Sequence, residues 1–180
     1  MYGFIDKTGR EVIPRIYDGA HKFSEGLACV MRKYSKPGLS VYKYKHGFID
    51  KNGKVVIPCI YDDSCQCFSE GFASVAKYVR CEDGKYRMKW GIIDKTGKEV
   101  IPCKYRYVGS FYDGLAKFCG DNPYDDPDRD TWGFIDKDGR EVISSKYSWV
   151  GDFSEGYAVI KVDNKWGFID RNGNEIINLA

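Results

Sequence analysis

The chain has 180 residues, 43% of them hydrophobic and 16% aromatic, which is material for one domain with a core and excludes a disordered segment. Its 28 Lys+Arg against 26 Asp+Glu leave a formal net charge of +2, so electrostatics offers no reason to expect nucleic acid or an anionic membrane as partner. No apolar run reaches bilayer-spanning length, and residues 1–6 lack the basic-then-apolar pattern of a leader, so neither a membrane span nor a signal peptide is expected. Seven cysteines cannot all pair within one chain; free thiols fit a reducing compartment, and the expected location is cytoplasmic.

In chain order, the first element is a β-hairpin. Asp6-Lys7-Thr8-Gly9 has the type I turn pattern, with Asp first and Gly fourth, and the Gly suits the left-handed position of a bulge. The flanks 3–6 and 10–13 are short and rich in β-branched and aromatic residues. Pro14 is expected to end the second strand, because it has no N–H for a ladder. Gly26-Leu27-Ala28-Cys29-Val30-Met31 reads as a third strand, as does Gly156-Tyr157-Ala158-Val159-Ile160-Lys161 further on. The latter reaches the next Trp-Gly pair through a tight polar turn, Val162-Asp163-Asn164-Lys165.

This set recurs. Gly3-Phe4-Ile5-Asp6-Lys7 returns as Gly47-Phe48-Ile49-Asp50-Lys51, Gly91-Ile92-Ile93-Asp94-Lys95, Gly133-Phe134-Ile135-Asp136-Lys137 and Gly167-Phe168-Ile169-Asp170-Arg171, at spacings of 44, 44, 42 and 34 residues. Tyr2, His46, Trp90, Trp132 or Trp166 precedes each. A second glycine follows six residues later, then an apolar pair ending in Ile, then Tyr17, Tyr61, Tyr105 or Tyr147 in the first four units. Phe23-Ser24-Glu25-Gly26 is matched by residues 68–71, 111–114 and 153–156. The units run approximately over 2–45, 46–89, 90–131, 132–165 and, in part, 166–180.

The fold class is therefore all-β: a tandem array of three-stranded antiparallel β-meander units forming a single domain over residues 1–180. A unit this small cannot bury its own apolar face, so the units stack as a solenoid or close into a propeller-like ring. The chain resembles the WG-repeat family, whose pattern reads approximately Lys-Trp-Gly-Phe-Ile-Asp-Lys-x-Gly-Lys-Glu-Val-Ile-Pro, followed by Tyr and Phe-Ser-Glu-Gly. Residues 165–176 and 89–102 carry the pattern well; Tyr2, His46, Ser144 and Asn178 depart from it. The resemblance implies a bacterial repeat, often joined to other domains, with no recognised catalytic residues.

Variation between units points to where function sits. From the Glu-Gly glycine to the next Trp-Gly glycine the distances are 21, 20, 19 and 11 residues, which marks the loops at 33–45, 77–89 and 118–131. The first interleaves Tyr34, Tyr42 and Tyr44 with Lys43 and Lys45; the second holds Tyr78, Arg80, Tyr86 and Arg87 around an Asp83-Gly84 turn. Rings and cations in this mixture suit stacking and charge pairing with a protein surface or a small anionic, nucleotide-like ligand. The same alternation also suits an extended hairpin with a solvated outer face. The third loop has five aspartates, but its spacing is not that of an EF-hand and two prolines fit a solvated turn. Cys65 and Cys67 with Cys81 lack the CxxC spacing of zinc sites. No metal and no cofactor are expected.

The recurring acids, Asp6 and its equivalents and Glu25, Glu70, Asp113 and Glu155, stand once per unit, as scaffold residues do. With two histidines in the chain, His-based nucleophilic chemistry has little material. The expected function is a non-enzymatic binding or scaffold module for a protein partner, the alternative being a binder of a small anionic ligand. Neither end resembles a dedicated cap, so end-to-end association is a further expectation.

Overall fold

The computed structural model describes residues 1–34, 43–64, 67–120 and 130–178, and among these there is no helix. The chain opens with a two-stranded antiparallel hairpin of β1 (Tyr2–Ile5) and β2 (Glu11–Tyr17). Four antiparallel sheets follow, each with its strands in chain order. Sheet I holds β3 (Gly19–Ser24), β4 (Leu27–Tyr34), β5 (Lys43–Asp50) and β6 (Val55–Tyr61). Sheet II holds β7 (Asp63–Ser64), β8 (Phe72–Arg80), β9 (Tyr86–Asp94) and β10 (Glu99–Tyr105). Sheet III holds β11 (Tyr107–Tyr112), β12 (Leu115–Cys119), β13 (Trp132–Ile135) and β14 (Glu141–Tyr147). Sheet IV holds β15 (Trp149–Val150), β16 (Tyr157–Val162), β17 (Lys165–Asp170) and β18 (Glu175–Asn178).

The complete sheets have four strands where the sequence reading expects three. The additional strand lies between the recurring Tyr and the Phe-Ser-Glu-Gly segment. Its local signal is weak, and pairing with the following strand creates it: Gly19 faces Met31 and Ser24 faces Leu27. Each sheet thus takes its first two strands from one sequence unit and its last two from the next.

A second correction concerns proline. β2, β6 and β10 run through Pro14, Pro58 and Pro102 to the tyrosine. These are the last strands of their sheets, so the missing N–H faces no neighbour on the outer side. The register jumps beside each proline: Phe4 faces Ile13, yet Tyr2 faces Tyr17. The extra residues form a bulge that folds over the glycine of the Trp-Gly pair. A Cβ on Gly47 would lie 2.6 Å from the Ile57 carbonyl oxygen, and one on Gly91 2.5 Å from that of Ile101. The recurring glycine answers this close backbone approach.

The Asp-x-x-Gly turns form as their residues dictate. The Asp6 carboxylate accepts from the Thr8 and Arg10 amides at 2.8 and 3.1 Å, and Gly9 sits at φ 85°. The Glu-Gly turns are tighter. Ser69 and Phe72 exchange both backbone bonds across Glu70 (φ 52°) and Gly71 (φ 88°), a two-residue turn with two left-handed positions.

The core lies between successive sheets. Leu27, Cys29, Phe48, Ile57 and Tyr61 of sheet I pack on Phe68, Ala73, Val75 and Ile93 of the next segment. The same set recurs between sheets II and III and between III and IV, and the N-terminal hairpin packs on sheet I through Ile13 and Tyr17. An aromatic pair marks each seam: Phe4–Phe23, Phe48–Phe68, Phe72–Phe111 and Phe134–Phe153, with centroids 4.6–5.3 Å apart.

Candidate functional site

A seam of polar bonds ties the sheets together along one end, and it uses the recurring acids. Glu25 accepts from the Gly71 amide at 2.9 Å and pairs with Lys95 at 3.0 Å. One repeat on, Glu70 accepts from the Gly114 amide and pairs with Lys137 at 2.9 Å. Asp113 accepts from the Gly156 amide at 2.9 Å. The hydroxyls of Ser24 and Ser69 donate to the carbonyls of Phe68 and Phe111, each at 2.7 Å. Burial pushes the Glu25 carboxyl up, but Lys95 and the Gly71 amide together hold it below its ordinary value. These residues build the scaffold.

At the far ends of β4, β5, β8 and β9 the hairpins lengthen and leave the seam. Here the structure brings the first two predicted loops together, for the Lys43 ammonium lies 4.8 Å from the centre of the Tyr78 ring. Tyr34 pairs across the strand with Lys43, and Arg80 with Tyr86. Tyr78, Arg80 and Tyr86 share one face of β8–β9, while Arg87, opposite Val79, occupies the other. Tyr34, Tyr44, Tyr78 and Tyr86 are all exposed. Tyr42 lies outside the described residues, as do Cys65 and the aspartates at 121–128.

The cations of this surface are largely engaged. Lys45 bonds Asp62 at 2.8 Å, and Asp62 also accepts the Tyr78 amide at 3.1 Å, joining sheet I to sheet II. Arg87 grips Asp83 through two bonds of 2.9 and 2.7 Å. Those bonds, with the Lys85 amide, bring the Asp83 carboxyl down to about 2. Asp62 is a residue that loop length misses, whereas Asp83 lies within the second loop. Asp18 accepts the Lys33 amide as Asp62 accepts that of Tyr78, and both follow the recurring tyrosine, so the repeat itself carried the signal.

A second group also escapes the sequence reading. His46, standing where three other units have Trp, places Nδ1 3.3 Å from the Ser64 hydroxyl and 3.8 Å from the Cys29 thiol, with Asp63 4.0 Å from Nε2. Cys29 and Ser64 are 3.3 Å apart. All three side chains are buried. Burial raises the Cys29 thiol to about 11 and lowers His46 below its ordinary value, so both are neutral near pH 7. The group lacks the reactive thiolate that nucleophilic chemistry needs. Beside it, Ser64 and Asp63 line a polar cleft of about 380 Å³ with Trp90, Tyr107 and Tyr112. In that cleft Lys117 is neutralised by Asp152 at 3.1 Å.

Cys29, Cys59, Cys67, Cys81, Cys103 and Cys119 are free thiols. Among the described residues no three His, Cys, Asp or Glu side chains converge on a point that would hold a metal ion. No described helix is long and apolar enough to cross a membrane.

Comparison with known proteins agrees with the repeated geometry. The model of the WG containing repeat matches five times, at residues 2–34, 47–78, 90–122, 132–166 and 166–179. The chain belongs to this family. No curated protein matches it.

Proposed function

We propose that the protein is a non-enzymatic binding module that offers the β4–β5 and β8–β9 hairpins to a protein partner. The array beneath is read as an open solenoid: among the described residues every sheet is built from consecutive strands, and none joins the first strands to the last. One observation carries the proposal. Four tyrosines stand exposed on two touching hairpins while their cationic neighbours Lys45 and Arg87 are held by Asp62 and Asp83. Exposed tyrosines that order at little entropic cost suit a protein interface. Cations already paired are a poor base for capturing a small anion, which disfavours the nucleotide-like alternative.

The test replaces Tyr34, Tyr44, Tyr78 and Tyr86 by Ala and compares the variant with the parent in native mass spectrometry after incubation in host lysate. A protein mass retained by the parent and lost by the variant is the expected result. Retention by both sinks the hairpin assignment. A small anionic mass in place of a protein would transfer the function to the alternative.

A further inference from the structure

The polar cleft beside Ser64 owes its shape to one unit's departures from the repeat. It opens over β11 and β12 of sheet III. Asp63, Ser64 and Trp90 of sheet II wall it on one side, and Asp152, in the link between β15 and β16, walls it on the other. After Tyr105 this unit has Gly109 and Ser110, where the first unit has His21 and Lys22 and the fourth has Gly151 and Asp152. The small pair leaves room above the strand. A Cβ on Gly109 would lie 3.1 Å from the Lys117 side chain, which runs across the floor and carries its ammonium to Asp152 at 3.1 Å. The Ser74 hydroxyl donates to the Gly109 carbonyl and ties this floor to sheet II.

The lining combines rings with hydrogen-bonding groups of both kinds. Trp90 and Tyr107 pack with centroids 5.3 Å apart, and Tyr112 stands exposed at the mouth. Aromatic faces carry partial negative charge and attract C–H groups. The Asp63 and Asp152 carboxylates accept hydrogen bonds, the Lys117 ammonium donates, and the Ser110 hydroxyl does both. Lys117 beside Asp152 sets a donor next to an acceptor, which matches two neighbouring hydroxyls, since each hydroxyl donates one bond and accepts others. Charge disfavours the other ligand classes. An anion would meet two carboxylates and a lysine that is already paired. A cation would meet the Lys117 ammonium on the floor, and an apolar ligand would leave the carboxylates without water or partner. The volume of about 380 Å³ is at the small end of ligand sites.

We propose that this cleft binds a neutral saccharide, with Trp90, Tyr107 and Tyr112 against the C–H face of a sugar ring and Asp63, Lys117 and Asp152 holding its hydroxyls. The cleft is open to solvent and its polar groups are hydrated before the sugar arrives, so affinity is low, with a Kd of about 1 mM. Among the described residues none of the four exposed hairpin tyrosines lines it, so the site is separate from the surface proposed for a protein partner.

Titration of the isotope-labelled full chain, followed by amide and indole NMR, tests the proposal. The probes are disaccharides of glucose, galactose, mannose and N-acetylglucosamine, with choline and inorganic phosphate as charged controls. At least one disaccharide should shift the Trp90 indole and the Gly109 amide and reach saturation, while choline and phosphate leave both in place. Tyr112→Ala and Asp152→Ala, both at exposed positions, should each weaken binding about tenfold. Ser110→Lys, which puts the first unit's residue in this place, should block the cleft and abolish binding. Tyr86→Ala, on the β8–β9 hairpin, should bind as the parent does. Circular dichroism checks that each variant is folded. Retention of the parent on an insoluble polymer of the same sugar assigns the ligand to a polysaccharide, and disaccharide binding without retention assigns it to a free sugar; both uphold the site. No disaccharide binding up to about 50 mM, tighter binding of choline or phosphate, or binding that all three cleft variants leave unaltered overturns the proposal.

Discussion

The Glu-Gly seam and the long hairpins of sheets I and II grow from the same strands, and they differ in what they ask of the side chains. At the seam the repeats solve one problem, the joining of two sheets, with like groups: Glu25, Glu70 or Asp113 holds the amide of the next turn's glycine, and Glu25 and Glu70 add a lysine. At the hairpin tips the repeats differ: Lys43 and Tyr44 in one become Arg87 and Met88 in the next. The difference teaches that the uniform positions carry the inter-sheet bonds, whereas the variable positions stand outside that seam, as the proposed binding role requires. Stability and binding should therefore separate by mutation.

The largest expected effect is in the buried seam. Phe68→Ala removes a fully buried ring that packs edge-on against Phe48 and should cost about 3–5 kcal/mol in denaturant unfolding. Tyr86→Ala, at an exposed tip, should stay within about 0.5 kcal/mol of the parent. Equal losses would erase the distinction between the two regions.

Next is the seam carboxylate. Glu70→Ala keeps a side chain with a Cβ at φ 52° and so isolates the loss of the Gly114 and Lys137 contacts, about 1–2 kcal/mol. Among the described residues Glu155 makes no such bonds, and Glu155→Ala should change little. A loss at Glu155 as large as at Glu70 would show that the carboxylate acts within its own turn.

The buried histidine gives a smaller, pH-dependent effect. Burial holds His46 below its ordinary value in the folded state, so the unfolded chain takes up the proton first as pH falls. Stability from this group is present above about pH 6.5 and is lost on acidification through that value, with a limiting slope of about 1.4 kcal/mol per pH unit. Unfolding of His46→Gln should lack this component between pH 7 and 5. An unchanged slope would remove His46 as its source.

The smallest effect is local to a hairpin tip. Carbon-detected NMR should find Asp83 titrating near 2, and Arg87→Ala should move it up toward the ordinary carboxylate range. Asp83 is solvent-exposed, so global stability should hold near neutral pH while the turn loosens. A midpoint unaffected by the substitution would mean that the Arg87 bonds do not form.

Much of the fold was legible because its signals are local and repeated. Asp6 and Gly9 specify their turn through bonds no more than four residues apart, and Asp50, Asp94, Asp136 and Asp170 repeat it. The same holds for the third-strand segments and the polar turn at Asp163 and Asn164, both left-handed at φ 46° and 64°. Of the candidate surface, loop length located the hairpins, and the alternation of Tyr with Lys foretold an exposed face. Which cations remained available was not legible, because Asp62 reaches Lys45 from 17 residues away, out of the link between sheets I and II.

By itself, then, the sequence determined the all-β repeat, the turns and the family, since each rests on contacts within one unit. The tertiary structure alone decided the fourth strand, the passage of β2, β6 and β10 through proline, the gathering of His46, Ser64 and Cys29, and the polar seam. Each of these depends on partners brought together by sheet pairing or stacking: β3 is a strand because β4 lies beside it, and Glu25 reaches Gly71 across 46 residues because sheet II packs on sheet I.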